Sequence, residues 1–532
     1  MRHRRTLLGS AVALVFAASF SLPAAAAAAA ASAPASTRHI AVDLNAPTTP
    51  RDRFADLSVG SDYPGTLIRD DSLAQLKIAR DELGFRYIRF HAIFHDVLGT
   101  YKVVDGKPVY DWTKIDYLYD KLLAMGIKPF VELSFTPDAM KTSEQTIFYW
   151  KGNTSHPKHA QWGPLVDAFV RHLQQRYGKE EVRTWFFEVW NEPNLDGFWE
   201  KADQKAYFAL YDLTANTIKA IDPALRVGGP ATAGAAWVPE FLAHTRQSGA
   251  AVDFVATHTY GVDGGFLDES GKEDTKLSPN PDAIVADVRK VRKEIEASYL
   301  PKLPLYFTEW STSYNPRDVV HDSYISAAYI LSKLKATEGI VQGMSYWTYT
   351  DLFEEPGPPT APFEGGFGLM NPQGIRKPAW FAYKYLNQLG DQEIRTADRQ
   401  AWAARDKDGN VQLLAWDFQT PDQSRTTNRN FYTVVQPTRN AAPLKIALKG
   451  MKPGSYTMQV YRTGFKANDA PTAYIEMGRP KALDASQLAK LQGLTQDKPE
   501  TRQVKVGKDG TASVEVKMRV NDAVLVKIGP AR

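Results

Sequence analysis

The chain of 532 residues contains no cysteine. That excludes disulfides, thiolate nucleophiles, iron–sulfur clusters and cysteine-ligated zinc in any compartment, so the fold must hold by packing alone. Neither sign of charge dominates. Lys and Arg total 64 against 60 Asp and Glu, a net +4. Residues 1–37 carry Arg2, Arg4 and Arg5 and no acid, and without them 61 basic residues face 60 acidic ones. A nucleic-acid partner needs a clustered basic face, which this balance does not provide. Beyond the first segment no run is long and apolar enough to span a membrane. No H-E-x-x-H spacing, no Asp-rich calcium loop and no glycine-rich dinucleotide fingerprint occurs. Neither a metal nor a cofactor is therefore expected.

What is present is globular: 43% hydrophobic, 23% charged and 11% aromatic residues, enough to bury a large core. The basic start MRHRR, the apolar TLLGSAVALVFAASF and an Ala/Ser/Pro tract follow the order of a secretory signal over residues 1–36. Cleavage is expected between Ala26 and Ser36, leaving an exported chain, periplasmic or extracellular, without stable membrane insertion. The competing reading is an uncleaved N-terminal anchor. Arg4 and Arg5 before Thr6 also resemble a twin-arginine start.

From 54 to 390 short strand-like runs alternate with helical periodicity. The strands are read at 54–60, 87–94, 127–135, 183–190, 225–230, 253–260, 303–310 and 340–349, with helices at 72–83, 115–126, 163–177, 202–221 and 281–295. Eight strand-then-helix units predict an α/β fold, a (β/α)8 TIM barrel, rather than an open doubly wound sheet. Residues 391–532 change to alternating strands with Asp-Gly and Pro-Gly turns, the texture of an antiparallel β-sandwich. Residues 37–53 are expected to add a strand to it.

Barrels of this kind place chemistry at the C-terminal ends of their strands. The fourth strand ends in WNEPN, carrying Asn191 and Glu192, and the seventh in TEWS, carrying Glu309. Two glutamates facing each other across the mouth are what glycoside hydrolysis requires, one acid to protonate the leaving oxygen and one carboxylate to attack or to activate water.

The stretches ELGFRYIRFH (82–91), PFVELSFTP (129–137), FFEVWNEPNLDGFW (186–199), THTY (257–260), FTEWS (307–311), SYWTYTDLFEE (345–355) and GGFGLMN (365–371) together resemble glycoside hydrolase family 39, a family of β-xylosidases and α-L-iduronidases in a clan of retaining barrel glycosidases. The resemblance implies that Glu192 is the acid/base and Glu309 the nucleophile. It implies that Asn191 binds the sugar 2-hydroxyl, Tyr260 orients Glu309, His91 and His258 hold sugar hydroxyls, Trp347 forms an apolar floor, and Glu354 and Glu355 bind further hydroxyls. Each of these has a structural competitor: backbone-paired histidines, a core tryptophan, a solvated acidic loop.

His95, beyond its strand end, is read as a surface or supporting group. Phe148, Tyr149, Trp150 and Trp162 in the stretch 141–162 are read either as a wall for the leaving group or as anchors of a long loop. Glu364 departs from the family, where histidine is common. Glu354, Glu355 and Glu364 read as one acidic cluster would repel a uronic acid, which favours a neutral sugar. The expectation is a secreted, retaining β-xylosidase acting on xylo-oligosaccharides without a cofactor. The alternatives are an α-L-iduronidase-like or other exo-glycosidase, a xylan-acting enzyme of the same family, and a carbohydrate-binding protein without turnover.

Overall fold

The computed structural model describes residues 36–531. The expected export segment therefore lies outside the described residues except for Ser36. Among the described residues no helix is long and apolar enough to cross a membrane.

Eight parallel strands close into a barrel: β1 (Ser58–Gly60), β2 (Tyr87–Phe90), β3 (Lys128–Leu133), β4 (Phe186–Val189), β5 (Arg226–Thr232), β6 (Phe254–Tyr260), β7 (Leu305–Ser311) and β8 (Gly343–Tyr346). Each falls within or overlaps one strand read from the sequence. Their burial is nearly complete on both faces, as expected where side chains fill the inside and helices cover the outside. A long helix follows each strand, at Asp70–Leu83, Thr113–Ala124, His159–Tyr177, Gln204–Ile221, Val238–Ser248, Val285–Glu296, Ser326–Thr337 and Pro378–Asn387. Five of them carry the helical periodicity read from the sequence.

Two of the three missed helices have a common cause. In Ser326–Thr337 and Pro378–Asn387 buried residues occur all round the helix, so there is no polar face to produce a helical stripe. The first is covered from outside by the sandwich, where Trp416 Nε1 donates to Ser332 Oγ at 2.8 Å and Trp402 Nε1 to Glu338 at 2.9 Å.

The sandwich has a seven-stranded and a three-stranded sheet around its own aliphatic core. Arg38–Asp43 joins the smaller sheet and Thr48–Pro50 the edge of the larger. The pairing of Arg38–Asp43 with Asn440–Lys449 is parallel, the one departure from the expected antiparallel pattern in these two sheets. No hairpin joins Arg38–Asp43 to its partner strand, which lies about 400 residues later in the chain, so nothing forces the pair antiparallel.

The barrel floor is a plug of Phe130, Phe186, Phe254 and Tyr306, with Phe130 stacked on Phe186 at 4.5 Å. Gly228 on β5 makes room for it. A Cβ there would lie 2.4 Å from the Phe254 carbonyl oxygen and 2.5 Å from its ring. Backbone cannot yield as a flexible side chain can. Gly228→Ala is therefore expected to destabilise the barrel by about 1–3 kcal/mol, read as a lowered Tm, while leaving the chemistry at the opposite end intact in whatever fraction folds.

Candidate active site

The site is built from the C-terminal ends of the strands around one buried arginine. Arg89, on β2, has no solvent exposure. Its Nε donates to Glu188 of β4, its Nη1 to Glu309 of β7 at 2.7 Å, and its Nη2 to Asn191 Oδ1 at 2.8 Å, with Glu132 of β3 at 2.9 Å. Glu132 and Glu188 are direct neighbours in the β3–β4 register. Without the guanidinium between them, two buried carboxylates would repel each other. Burial alone would discourage the charge on Arg89, but Glu188, Glu132 and Glu309 together raise its proton affinity above the ordinary value.

Glu309 is held from both sides, by Arg89 on Oε1 and by the Tyr260 hydroxyl on Oε2 at 2.7 Å. His258 lies opposite Glu309 in the β6–β7 register, just past an irregularity at Thr257/His258. Such irregularities re-aim side chains. His258 Nδ1 comes within 2.9 Å of Glu192 Oε1 and 3.6 Å of Glu309 Oε2. Burial pushes His258 down to about 3, outweighing the attraction of Glu309, so it stays neutral.

Glu192 follows β4 through a tight path in which Trp190 (φ +73°) and Glu192 (φ +48°) take left-handed backbone conformations. Such strain persists where the surroundings fix it. Here Trp190 Nε1 donates to the Phe198 carbonyl at 2.7 Å and the Glu192 N–H to the Ala231 carbonyl at 2.8 Å. Burial raises the Glu192 carboxyl to about 7, against the pull of His91 and Arg89. The two glutamates thus differ in character: Glu192 holds a proton near neutrality, and Glu309 is charge-paired.

One oxygen of Glu192, one of Glu309 and a nitrogen of His258 all lie within 4.8 Å of one another. These are the ligand types a divalent cation would use, but Arg89 already occupies Glu309. Asn191 Nδ2 and His258 Nε2 are buried without a hydrogen-bond partner among the described residues.

His91 sits between Glu132, 2.8 Å from Nδ1, and Glu355, 3.2 Å from Nε2. Burial opposes its charge, but these carboxylates raise it well above the usual imidazole range. Burial also raises Glu355 to about 8, only partly offset by His91. Trp347 is buried with its ring 4.7 Å from that of His91. Gly60 permits this, since a Cβ there would lie 2.2 Å from the indole.

Not every expected residue converges. Glu354 parts from Glu355: its carboxylate pairs with Arg69 at 2.9 Å on the outer rim. Glu364 accepts from the Thr360 hydroxyl and N–H and faces Arg317 at 3.6 Å. The three acids therefore do not form one cluster. His95 bonds the Trp150 carbonyl and the Val97 N–H, a supporting role. Trp162 is a core residue bonded to Thr214, whereas Phe148 stacks beside His91 at 5.8 Å and Tyr149 is exposed. Sequence reasoning missed Arg89, Glu132 and Glu188. The available signal was a charged residue inside an otherwise apolar barrel strand, as in YIRF and KPFVEL.

Two carboxyl groups this close, one protonated and one charge-paired, can cleave a glycosidic bond between them, and a barrel with that pair at its mouth is a glycoside hydrolase. Residues 38–511 match the profile of Glycosyl hydrolases family 39. A monomeric beta-xylosidase from Caulobacter crescentus is 68% identical, with a TM-score of 0.91 over 93% of this chain and 100% of that one. The GH39 enzyme from Xanthomonas axonopodis pv. citri is 62% identical, with a TM-score of 0.92 over 94% and 98%. A beta-xylosidase of Geobacillus stearothermophilus is 41% identical over 387 residues, 70% of this chain and 76% of that protein. The chain belongs to glycosyl hydrolase family 39.

The protonated Glu192 has a thermodynamic signature. A carboxyl that titrates near 4.5 when unfolded and near 7 when folded makes the native state the better proton binder, so its contribution to stability falls as pH rises through that window. Glu192→Gln removes the titration. It should raise Tm relative to the parent at pH 8 and have little effect at pH 5, by differential scanning calorimetry.

Proposed function

We propose that the protein is a secreted, retaining β-xylosidase that releases xylose from xylo-oligosaccharides by double displacement. The observation that carries the mechanism is the closeness of Glu192 and Glu309, with carboxylate oxygens within 4.8 Å. Retaining enzymes hold their carboxyl groups roughly 5–5.5 Å apart, while inverting ones leave about 6.5–9.5 Å for a water between them.

In the first step Glu309 attacks the anomeric carbon as the glycosidic bond breaks, and the Glu192 proton passes to the leaving oxygen. In the second, Glu192 takes a proton from water, the resulting hydroxyl attacks the anomeric carbon, and Glu309 departs as carboxylate. Both glutamates end as they began. Asn191 Nδ2 and His258 Nε2, buried and unpartnered among the described residues, supply hydrogen-bonding groups for sugar hydroxyls, Trp347 the apolar floor, and the His91–Glu355 pair a further polar edge.

The sugar is read as neutral because the two cations beside Glu309, Arg89 and His91, are already engaged and neither is left for a uronate. Arg89 is enclosed by three glutamates and Asn191, and His91 lies between Glu132 and Glu355. The β-xylosidase names of the Caulobacter and Geobacillus relatives support xylose in particular.

Proton NMR of the products from xylo-oligosaccharides should show β-xylose formed before mutarotation, and Glu309→Ala should lower kcat by a factor of about 10³ or more. Initial α-xylose, or a Glu309→Ala enzyme within tenfold of the parent, would overturn the mechanism. Export rests on the N-terminal order of basic, apolar and small residues. Sequencing the exported chain should find its first residue between Ala27 and Thr37, and a full-length chain retained in the cell would refute it.

A further inference from the structure

Asp62 lies just past β1, and its side chain is fully buried. All three of its donors are neutral: the Trp150 indole to Oδ1 at 3.0 Å, and the Glu354 N–H at 2.8 Å and Thr66 hydroxyl at 3.0 Å to Oδ2. Burial accordingly raises it to about 7. Burying a carboxylate without a bonded cation is costly, and a neutral residue would serve if only space had to be filled.

Its partners belong to different loops. Trp150 lies in the loop after β3, beside Phe148 and Tyr149, and its ring stacks on Tyr63 at 4.5 Å. Glu354 lies in the loop after β8, next to Glu355. The two loops also meet directly, where the Tyr149 N–H donates to the Glu355 carbonyl at 2.8 Å. The Asp62 carbonyl also accepts the His91 N–H at 2.9 Å. One residue therefore fixes the backbone beside Glu355, the backbone of His91, and the aromatic segment that stacks on His91.

We propose that Asp62 is a positioning residue for sugar recognition, joining the loops after β3 and β8 so that Glu355 and Phe148 are held around His91. Asp62 touches neither Glu192 nor Glu309. Its loss should weaken sugar binding more than it slows the chemistry. The inference rests on the reading of His91 and Glu355 as part of the sugar cradle.

The test compares variants by the Ki of D-xylose as a competitive inhibitor, by KM and kcat on an aryl β-xyloside, and by Tm. Asp62→Asn keeps the shape but turns one acceptor oxygen into a donor facing other donors. Its Ki and KM should rise about tenfold with kcat nearly unchanged. Trp150→Phe removes the indole donor while keeping a ring, and should shift Ki the same way by less. Thr66→Val removes the third donor without touching either loop. It should lower Tm but leave Ki unchanged, which separates positioning from general stability.

An unchanged Ki in Trp150→Phe and in folded Asp62→Asn would overturn the proposal, as would an equal rise in Thr66→Val. Glu355→Ala distinguishes the two levels. If it raises Ki while Asp62→Asn does not, only the positioning role falls; if neither does, the cradle reading of Glu355 falls with it.

Discussion

The buried guanidinium of Arg89 is the interaction on which the rest of the site depends. It reaches three glutamates from three other strands and the amide of Asn191. Only arginine has the planar, multi-donor geometry to do this, and it cannot shed its proton to escape the cost of burial. Lysine would offer a point charge that cannot bridge β3, β4 and β7 at once. Arg89 draws the ends of those strands to one centre, and the partners it leaves in place determine what their neighbours do. Glu132 remains ionised because the cations beside it outweigh its burial, and that charge in turn keeps His91 protonated. Arg89 and His91 face Glu132, Glu188 and Glu309, so each cation of the interior is already answered by carboxyl groups. A neutral sugar can be enclosed there without bringing a counterion.

Within that interior the barrel separates two chemically identical side chains. Glu309 lies inside β7, facing Arg89 and the Tyr260 hydroxyl, so its negative charge is answered directly. Glu192 lies beyond the end of β4, on a strained path, and touches a histidine that burial keeps neutral. Glu309 is paired with a cation while burial keeps the proton on Glu192, which is how a carboxyl pair divides acid and nucleophile roles. Had His258 been protonated, it would have favoured ionised Glu192 and left it without a proton to donate near neutral pH.

The eight barrel strands were legible because buried parallel strands are short apolar runs bounded by turn residues, and nothing in the chain imitates them. Helices Ser326–Thr337 and Pro378–Asn387 were not, since a second layer of protein covers their outer faces and erases the polar stripe. Among site residues, Glu192, Asn191 and Glu309 were legible because abrupt polar residues end apolar strands. Arg89, Glu132 and Glu188 lie within strands, where alternation hides a single charge, and their meaning appears only when three strands are brought together. Glu354 and Glu355 show the opposite limit. Neighbours in sequence and alike in chemistry, they point apart, one to Arg69 on the rim and one to His91 in the interior.

That separation depends on how the loops at the barrel mouth are held, and they are held in two ways. The loops after β3 and β8 are joined from inside, through Asp62 and the contact between Tyr149 and Glu355. The loops after β6 and β7 are held from the sandwich. Buried Asn428 accepts from the Leu277 N–H at 3.0 Å and donates to Asp318 at 2.8 Å and to Thr275 at 3.1 Å. All its hydrogen-bonding capacity is used, since the Gln423 amide supplies the remaining donor. Amides satisfied on every side fix geometry more strictly than apolar packing does. Tyr260, which orients Glu309, lies at the base of the first sandwich-held loop, and the ring of Tyr314, from the second, meets it edge-on at 6.4 Å. The accessory domain therefore supports the Glu309 side of the pocket and the barrel's own Asp62 the Glu355 side, so the two walls that would enclose a sugar ring are braced independently.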